Sequence, residues 1–164
     1  LTANQMIKGV KIKELKIHQD ISDTDDPMEK PGHLMEVLRA DEGLMSKFGQ
    51  SIFTVAHPGT IKAFHWHKKQ DDLWFIASGK AEIVLHDLRD DSDTKGETQT
   101  IVTDESNPQL VLIPVGVAHG YKVLGDQPVS LFYHTTEPYN AENPDEERLP
   151  YDDPGIGYDW NKSE

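Results

Sequence analysis

Short runs in which apolar and polar residues alternate fill the middle of the chain. A period of two is typical of a strand with one buried face, because successive side chains point to opposite sides. Stretches rich in turn-forming residues, such as HPG, DDSDTKGE, PVG and LGDQP, separate the runs. We therefore predict about ten short strands, over residues 10–17, 33–39, 51–57, 61–67, 72–78, 81–88, 98–103, 109–114, 119–124 and 129–135.

Short strands at this spacing indicate an all-β fold, a barrel or a two-sheet jelly roll. Only residues 41–49 have the pattern of a short helix, which Gly49 is placed to end. The acidic stretch 18–32 predicts a loop. From Glu137 onward the chain is rich in proline and acidic residues, which predicts an extended tail. We expect this tail to pack on the barrel through Tyr139, Tyr151, Tyr158 and Trp160.

Length and composition favour one domain over residues 1–164. A chain of 164 residues that is 36% hydrophobic can bury one substantial core but is short for two. No segment resembles a membrane span or a signal peptide, and the sequence contains no cysteine, so we expect a cytoplasmic protein. The aromatic residues expected in the core are Phe53, Phe64, Trp74, Phe75 and Phe132.

The formal charge of −13 argues against two classes of partner. A strongly acidic protein repels nucleic acid and anionic membrane surfaces, and no dense run of Lys and Arg reverses the field locally. We therefore expect neither partner. A ligand that carries phosphate remains compatible with the sequence, since Lys62, Lys68 and Lys69 lie close to a pair of histidines.

That pair is His65 and His67, one residue apart in the predicted strand 61–67. Residues i and i+2 of a strand share a face, so the two imidazoles project together. Asp72 opens the next strand and can lie beside them if the chain doubles back, and His119 follows a turn in PVG. The arrangement suits a metal site or a base with a helper. The alternative is an exposed strand whose two histidines have no catalytic or binding role.

These spacings resemble the two motifs of the cupin superfamily, G-x5-H-x-H-x4-E-x6-G and P-x-G-x-x-H. The first falls on residues 59–79, with Asp72 in place of Glu, and the second on residues 114–119. The resemblance implies a cupin-type jelly roll, or double-stranded β-helix barrel. Where such a protein holds Fe, Mn, Ni or Zn, the resemblance implies these ligands: His65, His67, Asp72 and His119.

Four further blocks resemble the dTDP-4-dehydrorhamnose 3,5-epimerases in order and spacing: HDLRDDSDTKGE (86–97), LIPVGVAHGY (112–121), YHTTEPY (133–139) and DDPGIGYDW (152–160). With weaker matches upstream, the resemblance covers about residues 30–160. It implies an enzyme of polysaccharide or deoxysugar biosynthesis that acts on a nucleotide-linked 4-keto-6-deoxy sugar. It also implies that no cofactor is needed and that the protein is a homodimer.

The same resemblance implies roles for individual residues. The histidine base of the family falls on His65 and its tyrosine acid on Tyr133. Such a pair removes a proton from the carbon beside a ketone and returns one from the opposite face, which inverts the centre. The residues that we expect around the substrate are Gln50, Lys62, His67, Asp72, His119 and Tyr139.

Three departures from the family pattern affect the site. The aspartate that pairs with the family's base lies beyond the last matching block, so Asp71, Asp72 or a residue of a partner chain is expected to pair with His65. The lysine near the sugar ketone falls on or near Asp72, so Lys62, Lys68 or a bound metal has to supply positive charge. The Arg-Gly phosphate contact is replaced by Pro31-Gly32, beside Lys30.

Two other functions remain open from the sequence. A metal-dependent cupin enzyme, such as a dioxygenase or a metal-dependent sugar isomerase, is favoured by His67 and Asp72, where the epimerases have glutamine and lysine. A non-catalytic module that binds a nucleotide sugar is the other. Within the epimerase hypothesis, a single epimerisation or a 3,4-ketoisomerisation uses the same proton abstraction.

Overall fold

The computed structural model describes residues 6–20 and 32–162. Within these ranges the chain forms twelve β-strands and one short 3-10 helix, Ala40–Glu42. The strands are β1 (Lys11–Glu14), β2 (His18–Gln19), β3 (His33–Leu34), β4 (Gln50–Ala56), β5 (Ile61–Trp66), β6 (Asp72–Ser78), β7 (Lys80–Asp87), β8 (Thr98–Asp104), β9 (Gln109–Ile113), β10 (Val117–Leu124), β11 (Val129–Thr135) and β12 (Glu147–Arg148).

The long strands form two five-stranded antiparallel sheets, in the orders β1-β9-β6-β11-β4 and β12-β5-β10-β7-β8, and β2 pairs with β3. Both large sheets contribute to one apolar core, which includes Ile76 and Val111 from the first and Ile83 and Tyr121 from the second. Alternating side chains of each sheet are thereby removed from water, which is the main stabilisation of such a sandwich. The predicted all-β jelly roll is confirmed.

The predicted helix over residues 41–49 is wrong. The 3-10 helix ends at Gly43, which adopts a left-handed conformation with φ of 62°. The following residues Leu44 and Met45 pack as irregular chain on a cluster outside the first sheet. Gly49 does not end a helix: a Cβ at this position would lie 2.3 Å from the backbone carbon of Glu137, so glycine permits a close approach of two chain segments.

Two predicted strands are much shorter than expected, because their apolar residues pack against other parts of the chain. Strand β3 covers only the first two residues of 33–39, and Val37 and Leu38 pack on the cluster outside the first sheet. Strand β1 covers the centre of 10–17. Strand β2 lies at the start of the predicted loop 18–32, of which residues 21–31 are outside the described ranges.

The predictions for the aromatic residues are partly wrong. Phe53 is 61% exposed on β4, since its side chain points to the outer face of an edge strand. In the tail, Trp160 is buried against Phe64, but Tyr139 and Tyr151 are mostly exposed. The described part of the chain contains no helix that is long and apolar enough to cross a membrane.

Candidate active site

A cavity of about 410 Å³ lies between the two large sheets and collects most of the predicted site residues. The first sheet contributes Asp72, Trp74 and Tyr133, and the second contributes residues of β5 and β10. Six predicted residues line it: Lys62, His65, His67, Asp72, His119 and Tyr133. Gln50 and Tyr139 line a second cavity of about 310 Å³, which shares Tyr133 with the first.

The register between β5 and β10 places two of the histidines side by side. His119 is the cross-strand neighbour of His65, and an irregularity in the pairing separates His119 from Tyr121. Between them, Gly120 allows the strands to approach closely, because a Cβ there would lie 2.3 Å from the Cβ of Ala63. A residue with a side chain at position 120 would therefore force these site-bearing strands apart.

His65 is paired with Glu146, which comes from the tail. Its Nδ1 lies 2.9 Å from Glu146 Oε1. An ionised carboxylate only accepts hydrogen bonds, so His65 carries its proton on Nδ1 and keeps a lone pair on Nε2. Glu146 is held in turn by Arg148, whose Nε and Nη2 lie 2.8 and 2.7 Å from the same oxygen.

The pairing of His65 with Glu146 corrects the prediction from sequence. Asp71 instead accepts a hydrogen bond from the backbone N–H of Val115, and Asp72 faces two other histidines. Glu146 belongs to the acidic run NPDEER (143–148). Most such runs are solvated loops, so the sequence did not mark it as a functional residue. What brings Glu146 to the site is β12, in which Glu147 and Arg148 pair with Trp66 and His65 of β5.

The pKa values of the pair follow from burial and from its neighbours. Burial lowers the pKa of His65, which the negative charge of Glu146 partly opposes. Burial alone would raise the pKa of Glu146, but Arg148 and His65 hold it below its ordinary value. At neutral pH the pair is therefore a neutral imidazole beside an ionised carboxylate, the form that a base requires.

His67, Asp72 and His119 form a compact group whose potential ligand atoms all lie within 4.8 Å of one another. The Nε2 atoms of His67 and His119 lie 3.7 and 3.6 Å from Asp72 Oδ2. His119 Nδ1 donates to the carbonyl of Val117 at 2.9 Å, and His67 Nδ1 donates to the carbonyl of Asp145. Both Nε2 lone pairs thus face the carboxylate, which is the donor set of a divalent transition metal.

Three of the four predicted metal ligands therefore come together, and His65 is outside this group. Burial lowers the pKa of His119 to about 4, so this histidine is neutral at physiological pH. The carboxylate of Asp72 is 3% exposed and accepts hydrogen bonds from Gln70 Nε2 at 2.8 Å and Trp74 Nε1 at 3.2 Å. The residues present fit a metal such as Zn, Fe, Mn or Ni.

Asp145 joins the tail to the loop that follows the histidine strand. Its carboxylate accepts the backbone N–H groups of Lys68, Lys69 and Gln70, at 2.9, 2.8 and 3.1 Å. Burial would raise the pKa of Asp145, but these three donors outweigh it and lower the pKa. Asp145 and Glu146 together contact both histidines of the motif, although neither was predicted as a site residue.

Tyr133 lies on β11, in the sheet opposite His65, and also lines the cavity. Burial, with the negative charges of Asp72 and Glu146, raises its pKa to about 12. The phenol is therefore protonated at neutral pH and can act as an acid. A neutral imidazole and a protonated phenol thus line the same cavity from different sheets.

The two cations that were expected to supply positive charge have different environments. Lys62 lines the cavity, and its Nζ lies 3.1 Å from Thr54 Oγ1. Lys68 forms an ion pair with Glu147 at 2.6 Å and lies over the ring of Trp66. Lys62 is thus the lysine of this pair that reaches the cavity. Lys30 and Pro31, at the altered phosphate contact, are outside the described ranges.

An antiparallel jelly roll of two sheets, with the histidines of both motifs around one cavity, is the cupin fold. The sequence model of the dTDP-4-dehydrorhamnose 3,5-epimerases matches residues 6–164, and this chain belongs to that family. The expected family is confirmed.

Individual relatives agree with this assignment. The chain is 51% identical to the spore coat polysaccharide biosynthesis protein SpsL of Bacillus subtilis (strain 168) over 156 residues, which are 95% of this chain and 97% of SpsL. It resembles the crystal structure of a dTDP sugar isomerase from Desulfovibrio desulfuricans G20, with a TM-score of 0.81, 26% identity and coverage of 96% and 94%.

A second solved structure is an epimerase with a ligand. The dTDP-6-deoxy-D-glucose-3,5-epimerase RmlC of Legionella pneumophila Philadelphia 1 was solved in complex with dTDP-4-keto-L-rhamnose. It superposes with a TM-score of 0.79 at 27% identity and covers 96% of this chain and 81% of its own. The shared fold thus includes a member that binds a nucleotide-linked keto sugar.

Proposed function

We propose that this protein epimerises a nucleotide-linked 4-keto-6-deoxy sugar in the biosynthesis of a polysaccharide or deoxysugar. His65 Nε2 takes the proton from the carbon next to the ketone, and the electron pair moves onto the ketone oxygen. Tyr133 then donates a proton to the opposite face of the same carbon, which restores the ketone with inverted configuration. The observation that carries the proposal is the His65–Glu146 pair, which keeps the imidazole lone pair on Nε2, beside a cavity that Tyr133 also lines.

The reaction needs no cofactor, because the proton beside a ketone is acidic enough for a side-chain base when the enolate is stabilised. The remaining predicted residues support substrate binding. Lys62, His67, Asp72 and His119 line the same cavity, and Gln50 Oε1 accepts the backbone N–H of Tyr139 in the adjoining one.

The test is incubation with dTDP-linked 4-keto-6-deoxyglucose in heavy water, followed by proton NMR. We expect deuterium at C3, C5 or both, with inversion of the exchanged carbon and loss of both signals in His65→Ala. Tight binding of the sugar nucleotide by wild-type protein with no exchange would contradict the proposal and favour the non-catalytic binding module.

A metal-dependent cupin enzyme is the second candidate, and one observation favours it. The Nε2 atoms of His67 and His119 and the carboxylate of Asp72 present acceptors to one another in a buried site, where a cation would neutralise their mutual repulsion. Metal analysis of protein purified without metal-affinity steps tests this candidate. Stoichiometric metal, together with exchange that stops in a chelator and returns on reconstitution, would favour it over metal-free proton transfer.

We also propose that the protein is a homodimer located in the cytoplasm, where activated nucleotide sugars are used. Strand β4 is at the edge of its sheet, pairing with β11 alone within the described ranges, and it exposes Phe53 and Val55. An open edge with apolar side chains is a surface that a second copy can cover. Light scattering of wild type and Phe53→Glu tests this, since a monomeric wild type would contradict it.

A further inference from the structure

The hydroxyl group of Tyr121 is a buried polar group on a residue that lines the cavity. The residue is 2% exposed, and in the described part of the chain no donor or acceptor reaches its Oη. Buried side-chain polar atoms are nearly always paired, because an unpaired one loses its bonds to water and gains nothing in return. A phenylalanine would fill the same space without this cost, so the hydroxyl calls for a functional explanation.

Tyr121 lines the catalytic cavity together with His65 and Tyr133. It lies on β10, where it is the cross-strand neighbour of Lys62. Its ring meets Trp74 edge to face, with centroids 5.7 Å apart and an interplanar angle of 87°. The position of the ring is therefore determined by packing and by the strand, and the hydroxyl does not need to be ordered by a bound ligand.

Several other donors around the cavity already have an acceptor. Trp74 Nε1 donates to Asp72 Oδ2, and Lys62 Nζ donates one of its three N–H groups to Thr54 Oγ1. The Nδ1 atoms of the three histidines face oxygen atoms of Glu146, Asp145 and Val117. Tyr133 is the acid of the proposed reaction, so Tyr121 is the buried phenol whose proton is not committed.

An enolate needs such a donor in this site. Negative charge develops on the ketone oxygen when the neighbouring carbon loses its proton, and a preorganised donor in a site of low polarity stabilises it. The carboxylate of Asp72 lies in the same cavity and opposes that charge. A neutral hydroxyl can stabilise the oxyanion by a hydrogen bond. Because it carries no positive charge, it is not drawn towards the carboxylate of Asp72.

We propose that Tyr121 is a catalytic residue whose hydroxyl donates a hydrogen bond to the ketone oxygen of the substrate and stabilises the enolate. This inference rests on the proposed epimerase function. The phenol keeps its own proton throughout: the carbon-bound proton passes to His65 Nε2, and Tyr133 supplies the proton that returns. The bond to Tyr121 is strongest when the oxygen carries most charge, so it lowers the barrier more than it tightens substrate binding.

The test compares Tyr121→Phe with wild type and with Tyr133→Phe, on dTDP-4-keto-6-deoxyglucose in heavy water. In Tyr121→Phe we expect kcat to fall about 10²–10³-fold, the loss typical of removing one oxyanion donor, with little change in KM. Exchange and inversion fall together, because both pass through the enolate. Tyr133→Phe, by contrast, keeps deuterium exchange from the His65 side and loses inversion.

Thermal unfolding of Tyr121→Phe separates catalysis from a structural role. Since the substitution removes only an unpartnered hydroxyl, the midpoint should stay the same or rise while kcat falls. If wild type is active and Tyr121→Phe has the same kcat, with or without a lower midpoint, the assignment of Tyr121 is overturned while the epimerase function stands. A wild type that neither exchanges nor inverts the substrate would overturn the proposed epimerase function, and this inference with it.

Discussion

Glu146 Oε1 lies 2.9 Å from His65 Nδ1, and these two residues are far apart in the sequence. The antiparallel pairing of β12 with β5 brings the tail carboxylate to the histidine strand. The carboxylate selects the tautomer of the imidazole, and in the proposed reaction it stabilises the imidazolium that forms when His65 accepts a proton. In that reaction Glu146 is a positioning residue that acts on the substrate through His65.

Glu146→Gln should lower kcat by about 10²-fold, within the range that a well-positioned acid or base contributes. The amide keeps the shape of the side chain but loses the charge that stabilises the imidazolium. Steady-state kinetics measures the effect, and ¹⁵N NMR of the imidazoles reports whether the Nδ1–H tautomer of His65 is lost. The matched control is Glu142→Gln, an exposed residue of the same tail; a similar loss there would contradict a specific role for Glu146.

The dependence of kcat/KM on pH should show an acidic limb that belongs to His65. The base works only when neutral, and burial lowers its pKa below the ordinary 6.5. Activity should therefore persist as pH falls to 6.5 and decline below it. Because Glu146 partly opposes that lowering, Glu146→Gln should move the limb to still lower pH. A limb that moves to higher pH in this variant would contradict the pairing.

Asp145→Ala should remove the side-chain contact between the tail and the loop after β5, while the pairing of β12 with β5 remains. Three backbone N–H groups lose a charged acceptor, which should cost about 1–3 kcal/mol of unfolding free energy. Glu146 follows Asp145 directly and should be held less rigidly, so kcat should fall as well. Asp145→Asn should be intermediate, since an amide oxygen still accepts from the loop. Urea unfolding and kinetics of both variants test this, and equal stability of Asp145→Ala and wild type would argue against the tether.

Gly120→Ala should destabilise the protein by about 1–3 kcal/mol, the usual cost of overpacking. The added methyl group meets Ala63 Cβ at 2.3 Å and the backbone oxygen of Lys62 at 2.7 Å. Adding Ala63→Gly removes the first clash and keeps the second, so it should restore only part of the loss. Urea unfolding of the single and double variants measures both steps. A fully stable single variant would show that β5 and β10 can separate without cost.

The sequence by itself determined the all-β class of the fold and the positions of most long strands. Alternating side chains and turn residues identify most of the long strands, because a strand between two environments needs that period and a tight turn needs those residues. Residues 41–49 were misread as a helix, since their apolar side chains serve packing against a distant sheet and not a helical face. Phe53 was misplaced because the sequence does not show which strand is at an edge.

The i, i+2 relation also placed His65 and His67 on one face of a strand, and the resemblance to the cupin motifs implied that Asp72 and His119 lie near them. Tertiary structure alone decided the partner of His65 and the isolation of the Tyr121 hydroxyl. Both depend on contacts between strands that are distant in sequence, and local sequence patterns do not predict such contacts. From the sequence, Glu146 is one more acidic residue of a tail expected to be solvated. Only the pairing of β12 with β5 shows that it reaches His65.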